Sequence, residues 1–266
     1  MGQKIIDFHV HAFPDELAGA AMKKLLDEAP GVEAYLDGTL SQLLASMDEC
    51  GIEKCVLCCI ATRPKQFEPI FEWCRSIRCD RVIPFPSVHP DDERAVERIE
   101  KIKDAGFKGI KFHPYYQDFS LDDERMDAIY DKAQQLDLIV VLHTGYDVAF
   151  EFDRRADCAQ ILKVVEKYPD LKFVATHLGG WKMWEEMREG FVGKNIYTEI
   201  SFGLDELSRE DAREMLMRHP ADFILFGTDS PWTRQWQTLE LLCELELPSE
   251  RMDKILHGNA ERLLGL

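Results

Sequence analysis

Short apolar segments alternate with longer amphipathic segments along the whole chain. Eight apolar segments have the length of strands: 4–9, 54–60, 81–88, 107–113, 138–143, 171–177, 195–200 and 222–228. Between them, segments such as 40–50, 95–105, 123–136, 156–168 and 210–219 repeat apolar residues with the 3.6-residue period of a helix. Many of these begin with Asp, Ser or Glu, as helix starts do. The pattern therefore predicts strands and helices in strict alternation.

The strand segments indicate a parallel sheet that is covered on both faces. LIVVLH at 138–143 and FILFGT at 223–228 are almost continuously apolar, whereas antiparallel strands with one wet face alternate more cleanly. The length of 266 residues suits one large domain or two small ones. No glycine-rich phosphate loop follows the first strand, no linker divides the chain, and eight strands match a barrel. We therefore expect a single α/β domain over residues 1–266, a (β/α)₈ TIM barrel.

Charge and hydropathy restrict the partners. With 32 Lys and Arg against 49 Asp and Glu, the formal net charge is -17. This charge repels nucleic acid and anionic membrane surfaces, and the sequence shows no local basic patch. There is no leader-like segment at the start and no apolar run long enough to span a membrane. We expect a cytoplasmic protein that acts on a small-molecule substrate, and self-association into a homo-oligomer stays open.

The eight cysteines suggest zinc or disulfides at first sight, but their placement argues against both. Cys55, Cys58 and Cys59 lie in a strand segment, where alternation puts Cys55 and Cys59 on one face and Cys58 on the other. The C-x-x-C pair cannot easily hold one ion in that geometry. The sequence therefore predicts reduced thiols, most of them buried.

Histidines mark one end of the predicted barrel. His9, His11, His113, His143 and His177 all fall at the C-terminal ends of strand segments 1, 4, 5 and 6. Barrel active sites are built at that end. Three further histidines are predicted to serve structure: His89, His219 and His257.

The first and eighth strand segments carry the best candidates for metal ligands. Asp7, His9 and His11 share one face by alternation, while Val10 packs outside. Asp229, in LFGTDSPW, ends the eighth strand, which neighbours the first when a barrel closes. Together with a histidine from another strand end, these residues offer three imidazoles and a carboxylate, a ligand set that suits zinc or manganese. Asp229 also fits a simple role as the N-cap of the helix that follows, so taken alone it leaves both interpretations open.

An ordered set of motifs resembles a known family over nearly the whole chain. DFHVH, SVHPDD, GIKFHP, VVLHTG, FVATHLGG, FGTDSPW and HGNAERLLGL are similar to the motifs of the amidohydrolase superfamily. The resemblance is to the amidohydrolase-related group that includes the aminocarboxymuconate semialdehyde decarboxylase-like enzymes. It implies one divalent metal, Zn²⁺ first and Mn²⁺ second, at His9, His11, His143 and Asp229, with His177 facing the substrate.

The resemblance also bears on the strand-four residues and the pocket. Related enzymes with two metals often use a strand-four lysine as a bridge, but KFHP resembles the one-metal branch, so a second metal is not expected. Lys111 is then a cation near the substrate or part of a structural ion pair. The remaining side chains just beyond strand ends form the expected substrate-binding set: Lys111, His113, Arg63, Trp181 and Trp232.

Three classes of function fit these residues. The first expectation is hydrolysis of a small amide, lactone or ester by a metal-activated water, with His177 or Asp229 as the base. The alternative is non-oxidative decarboxylation of an aromatic or enol acid, in which Arg63 holds a carboxylate. The third is a non-catalytic barrel that uses its histidines for structure or binding.

Overall fold

Eight strands form in the predicted order. The computed structural model describes residues 4–266, so the first three residues of the expected domain lie outside the described part. The strands are β1 (Ile6–Val10), β2 (Lys54–Cys58), β3 (Val82–Phe85), β4 (Gly109–Phe112), β5 (Ile139–Leu142), β6 (Lys172–Ala175), β7 (Tyr197–Glu199) and β8 (Ile224–Leu225).

All strand pairs are parallel, and backbone hydrogen bonds join the two groups of strands at both of their junctions. The ladders run in two arcs, β1-β2-β3 and β4-β5-β6-β7-β8. At one seam the Lys111 amide donates to the Pro86 carbonyl at 2.9 Å. At the other, the Phe8 amide donates to the Phe226 carbonyl at 2.8 Å and the Asp229 amide to the His9 carbonyl at 2.7 Å. The (β/α)₈ barrel that the sequence predicts is confirmed.

Helices follow the strands around the outside. They are α1 (Asp15–Glu28), α2 (Leu40–Cys50), α3 (Phe67–Ile77), α4 (Ala95–Asp104), α5 (Asp127–Gln135), α6 (Cys158–Lys167), α7 (Trp184–Gly190), α8 (Gly203–Glu206), α9 (Arg209–Arg218), α10 (Gln235–Glu244), α11 (Ser249–Asp253) and α12 (Asn259–Leu264). The five helices predicted from periodicity are α2, α4, α5, α6 and α9. Capping side chains explain two of their starts: Thr39 accepts from the Gln42 amide, and Asp157 forms a capping box with Gln160. Among the described residues, no helix has the length and apolarity that a membrane crossing needs.

Two apolar cores explain why the strands are apolar on both faces. One lies inside the barrel, where Phe8, Cys58, Phe85, Val141 and Leu225 of five strands pack together. The larger one fills the layer between strands and helices. Cys58 lies in the inner core and Cys55 and Cys59 in the outer one, as alternation predicts. All eight cysteines are free thiols; five are buried, Cys50 is half-buried, and Cys79 and Cys243 are exposed.

The first strand departs from simple alternation. Its pairing with β2 is irregular between Asp7 and Val10. Because of this irregularity, Phe8 packs inside the barrel while Val10 packs in the outer layer. The prediction that Asp7 lies on the same face as His9 was therefore wrong. Asp7 instead accepts hydrogen bonds from the Thr228 hydroxyl at 2.6 Å and the Gln235 amide at 2.8 Å.

Candidate metal centre

Three electron-rich atoms crowd around one point at the C-terminal end of the barrel. His9 Nε2 lies 3.1 Å from His11 Nε2. Asp229 Oδ1 lies 3.2 Å from His9 Nε2 and 2.9 Å from His11 Nε2. Ligands of one metal with bonds of about 2.1 Å lie about 3.0 to 3.4 Å apart in octahedral and tetrahedral sites. The spacing of these three atoms therefore fits a divalent metal, and Asp229 Oδ1 is buried without a hydrogen-bond donor.

The far side of each imidazole sets which nitrogen carries the proton. His9 Nδ1 lies 3.0 Å from the Glu199 carboxylate, and His11 Nδ1 lies 2.7 Å from the Cys58 carbonyl. Both oxygens can only accept, so Nδ1 is the donor in each ring and Nε2 of the neutral ring carries the lone pair. Burial lowers the pKa of His9 well below its usual value, which keeps that ring neutral. The two lone pairs thus face the same point as Asp229, as ligands should.

Glu199, at the end of β7, organises this site, although it was not among the predicted site residues. Its side chain is fully buried. Oε1 accepts from His9 Nδ1, from the His177 amide at 2.9 Å and from the Ser201 hydroxyl at 2.8 Å, while Oε2 accepts from the Ser201 amide at 2.7 Å. Gly227 makes room for it, since a Cβ there would lie 2.5 Å from Oε2. A carboxylate in the last position of a buried strand was the available signal.

A second chain of hydrogen bonds leads from Glu199 to His143. Because the Ser201 hydroxyl donates to Glu199, its oxygen accepts from His177 Nδ1 at 2.8 Å. His177 Nε2 is then an acceptor, and His143 Nδ1 donates to it across 3.1 Å. This leaves His143 Nε2 with the lone pair, buried and without a partner. His143 therefore presents a free ligand atom, and His177 fixes its orientation.

Three of the predicted metal ligands, His9, Asp229 and His143, fall into two separate groups of potential ligands. His9, His177 and Asp229 have ligand atoms within 4.8 Å of one another, and His113, His143 and Asp147 form another such group. His113 and His143 stack with centroids 4.1 Å apart, and His113 Nε2 lies 3.2 Å from Asp147. The assignment of His143 to one set with His9 stays a prediction, and Asp147 was not foreseen.

Lys111 places its amine beside the metal group. Its side chain is almost completely buried, and Nζ lies 3.1 Å from His9 Nε2. Burial lowers the pKa of Lys111 from its usual value, while Cys58, Asp229 and Glu199 act in the opposite direction. The two roles that the sequence left open for this residue, a cation near the substrate and a structural ion pair, both stay predictions.

Asp229 is held by its own backbone as well as by its neighbours. Its φ of 57° is left-handed, and its amide donates to the His9 carbonyl, so β1 fixes the position of the carboxylate. Burial alone would raise the pKa of Asp229, but the adjacent imidazoles of His9 and His11 outweigh burial and lower it. Asp229 is therefore a carboxylate at neutral pH, as a metal ligand must be.

A cavity of about 540 Å³ opens onto these groups. Its wall includes the predicted substrate-binding residues Lys111, His113, Trp181 and Trp232. Arg63, the fifth, is exposed and is not among the lining residues. His177 does not line the cavity either, whereas His9, His11, His143 and Asp229 do. The other histidines make structural contacts, such as the bond of His219 to the Ile196 carbonyl at 2.9 Å.

Residues 6–266 match the family model described as amidohydrolase. The chain belongs to the amidohydrolase family. It therefore has the barrel of an enzyme family and a cluster of residues that could hold a metal ion, as the resemblance of its motifs implies. No curated protein matches this chain in sequence.

Solved structures share the fold of this amidohydrolase at low sequence identity. A TIM-barrel protein from Bordetella bronchiseptica, described as uncharacterized, is 23% identical, with 98% of both chains covered and a TM-score of 0.78. A 2,6-dihydroxybenzoate decarboxylase from Rhizobium is 17% identical over 100% of this chain and 99% of that one, with a TM-score of 0.71. A 5-carboxyvanillate decarboxylase from Novosphingobium aromaticivorans with bound manganese is 17% identical over 100% and 98%, with a TM-score of 0.70.

Proposed function

We propose that this member of the amidohydrolase family is a metal-dependent decarboxylase of an aromatic acid that carries a hydroxyl group next to its carboxylate. The observation that carries the proposal is an apolar, aromatic-lined cavity that opens directly onto the metal group and its buried lysine. Several of the solved structures that resemble the chain are named as decarboxylases of hydroxylated aromatic acids, which supports the same choice. This is the alternative of the sequence analysis, and it replaces hydrolysis as the leading hypothesis.

The cavity suits a flat, anionic ring. Tyr116, Trp181, Phe202 and Trp232 contribute aromatic faces to its wall, and Trp181 stacks on Phe202 with centroids 4.5 Å apart. Rings pack favourably against such faces in stacked or edge-on arrangements. The Lys111 amine, when protonated, supplies positive charge at the strand ends. A substrate with an apolar ring and one anionic edge matches this division.

The metal would be held by His9, His11 and Asp229, with the free Nε2 of His143 as a further ligand. When bound, it supplies positive charge that binds and orients the carboxylate and hydroxyl oxygens of the substrate. Manganese and zinc both accept this donor set. The manganese in one structural relative makes Mn²⁺ the first choice.

The reaction breaks the bond between ring and carboxylate and replaces CO₂ by a proton. Asp229, a carboxylate at neutral pH, is the residue we assign to take that proton from water in the cavity and pass it to the ring carbon as CO₂ leaves, because its side chain lines the cavity. Lys111 binds the anion, and the aromatic wall excludes water from the ring. His177 acts through its hydrogen bond to His143, so we assign it a positioning role.

Isotope experiments test this proposal. Mn²⁺-loaded enzyme should release ¹³CO₂ from carboxyl-labelled 2-hydroxy- or 2,6-dihydroxybenzoates and, in D₂O, place one deuterium at the vacated ring carbon. Lys111→Met and Asp229→Asn should lose at least about 100-fold in kcat/KM, while Trp236→Phe, at an exposed position, should not. Hydrolysis of phenyl esters or lactones by the same enzyme, without CO₂ release from any hydroxybenzoate, would contradict the proposal and restore hydrolysis.

A further inference from the structure

Part of the cavity is built by helices rather than by strand ends. We use the name helical wall for six lining side chains from α1, α3 and the segment after α1: Leu17, Ala21, Leu25, Val32, Ile70 and Trp73. All six are apolar. Lys24 is the one charged side chain that these elements add to the lining among the described residues. The helical wall is thus the apolar counterpart of the charged strand ends.

Helix α1 has more apolar surface than its packing uses. Ala18 and Met22 are buried, and this pair fixes the helix to the rest of the protein. Leu17, Ala21 and Leu25 follow one another at intervals of four residues, so they form a second stripe on the same helix. The stripe lines the cavity, and Leu17 remains 55% exposed. A helix that only packed against the core would not need this second stripe.

Helix α3 shows the same division. Phe67, Phe71 and Cys74 are buried in the outer core. Ile70 and Trp73, three residues apart, are half-buried and line the cavity. Two helices therefore direct surplus apolar side chains into the same space, which is continuous with the metal group.

The volume of that space exceeds what a substituted benzoate fills. An apolar cavity of about 150 Å³ is enough to enclose benzene, whereas this one measures about 540 Å³. A single ring with its carboxylate and hydroxyl groups leaves a large part of the apolar lining in contact with water. A ligand that covers the lining gains free energy in proportion to the area.

We propose that the helical wall is a subsite for an apolar substituent, an alkyl chain or a second ring, on the aromatic acid. This rests on the proposed function, because the acid end must be bound at the metal group. The preferred substrates are then alkylated or biaryl hydroxybenzoates rather than benzoates with small polar substituents.

Binding of substrate mimics that cannot react tests the subsite. The probes are 2-nitrophenol and its 4-butyl and 5-butyl derivatives, in which a planar nitro group takes the place of the carboxylate and cannot leave as CO₂. Isothermal titration calorimetry on the Mn²⁺-loaded enzyme gives the Kd of each. Each carbon removed from water is worth about fourfold in affinity. We expect one of the two butyl derivatives to bind at least about 20-fold more tightly than 2-nitrophenol.

Matched variants show which side chains produce the tighter binding of the butyl derivative. Leu17→Asn/Ile70→Asn should reduce it to less than about threefold and leave the Kd of 2-nitrophenol unchanged. The control is Leu26→Asn, a half-buried position on α1 that does not line the cavity, and it should keep the gain. Equal affinity of all three probes for the wild type, or an unchanged gain in the double variant, would overturn the subsite. So would a change of oligomeric state in the double variant without a change in ligand preference, because the face would then be a subunit contact.

Failure of the subsite can be told apart from failure of the proposed function. A butyl gain that depends on the helical wall, without CO₂ release from any hydroxybenzoate, would overturn decarboxylation and keep the subsite. Release of CO₂ without tighter binding of either butyl derivative would keep decarboxylation and overturn the subsite. Absence of both binding and CO₂ release would overturn both.

Discussion

The metal group and the helical wall lie in one cavity but are held in different ways. The two imidazoles of the metal group each have a hydrogen-bond partner on their far side, Glu199 for His9 and the Cys58 carbonyl for His11. The helical wall consists of partly exposed apolar side chains that are positioned by packing alone. Leu17 shows the difference most clearly, with 55% of its surface exposed.

This difference separates reaction chemistry from substrate choice. Ligand geometry tolerates errors of a few tenths of an ångström, so it needs the rigid ends of strands and a second layer of hydrogen bonds. An apolar subsite needs only area and shape. We therefore expect that side chains such as Leu17 or Ile70 can be exchanged without disturbing the metal group.

The largest effect is expected where the metal group loses its buried acceptor. Glu199→Ala leaves His9 Nδ1, the His177 amide and Ser201 without their partner, which should cost about 4 kcal/mol of unfolding free energy. Metal affinity should also fall about 10- to 100-fold. Urea unfolding of the metal-free protein and metal titration measure the two effects. The control is Glu261→Ala, which removes a partly exposed ion pair with Lys4 and should cost less than about 1 kcal/mol of unfolding free energy. Equal losses of unfolding free energy at both positions would mean that Glu199 does not organise the site.

His219 tests what burial does to a histidine away from the cavity. Burial lowers its pKa to about 4 from a usual 6.5. The unfolded chain then binds a proton more readily, so this stability is complete above pH 6.5 and is lost as the pH falls towards 4. The total is about 3 kcal/mol, at up to about 1.4 kcal/mol per pH unit. Urea unfolding between pH 4 and 7.5 measures the unfolding free energy as a function of pH. This free energy should change less steeply with pH in His219→Gln than in the wild type, and parallel curves for the two proteins would contradict the lowered pKa.

A smaller effect is expected from crowding the metal group. In Gly227→Ala the new Cβ would lie 2.5 Å from Glu199 Oε2. The carboxylate must then move, at a cost of about 1 to 3 kcal/mol and with a loss of metal affinity. The comparison variant is Gly19→Ala in α1, where a Cβ has open space. If both variants bind metal as the wild type does, the placement of Glu199 is not critical.

The smallest effect is expected on the helical wall. Leu17→Asn should change the unfolding free energy by less than about 0.5 kcal/mol, because the side chain is mostly exposed. Metal affinity should not change. A large loss of stability or of metal would mean that the helical wall supports the strand ends, and the two regions would no longer be independent.

The sequence predicts strand order and the location of the site well because both follow from local periodicity. Segments that end in histidine place His9, His113, His143 and His177 at one end of a parallel barrel without any knowledge of contacts. Alternation failed where pairing became irregular, at Asp7. Irregular pairing depends on tertiary contacts and leaves no period to detect.

Other features depend on long-range contacts. Glu199 acquires its role by meeting His9, 190 residues away in the chain. The cavity-facing stripe of α1 has the same spacing as a core-facing stripe, so periodicity cannot tell which of Leu17 and Ala18 lines the site. Arg63 follows a strand, as expected for a site residue, yet its side chain is exposed, because a position in a loop does not fix a direction.

The central claim is that one divalent metal is bound where His9, His11 and Asp229 converge. Metal content per chain, measured by elemental analysis of chelator-free protein after reloading with Mn²⁺ or Zn²⁺, tests it most directly. We predict about one ion in the wild type and in His219→Gln, and almost none in His9→Ala and Asp229→Asn. A folded wild type that retains no metal, or an unchanged content in both ligand variants, would contradict the account.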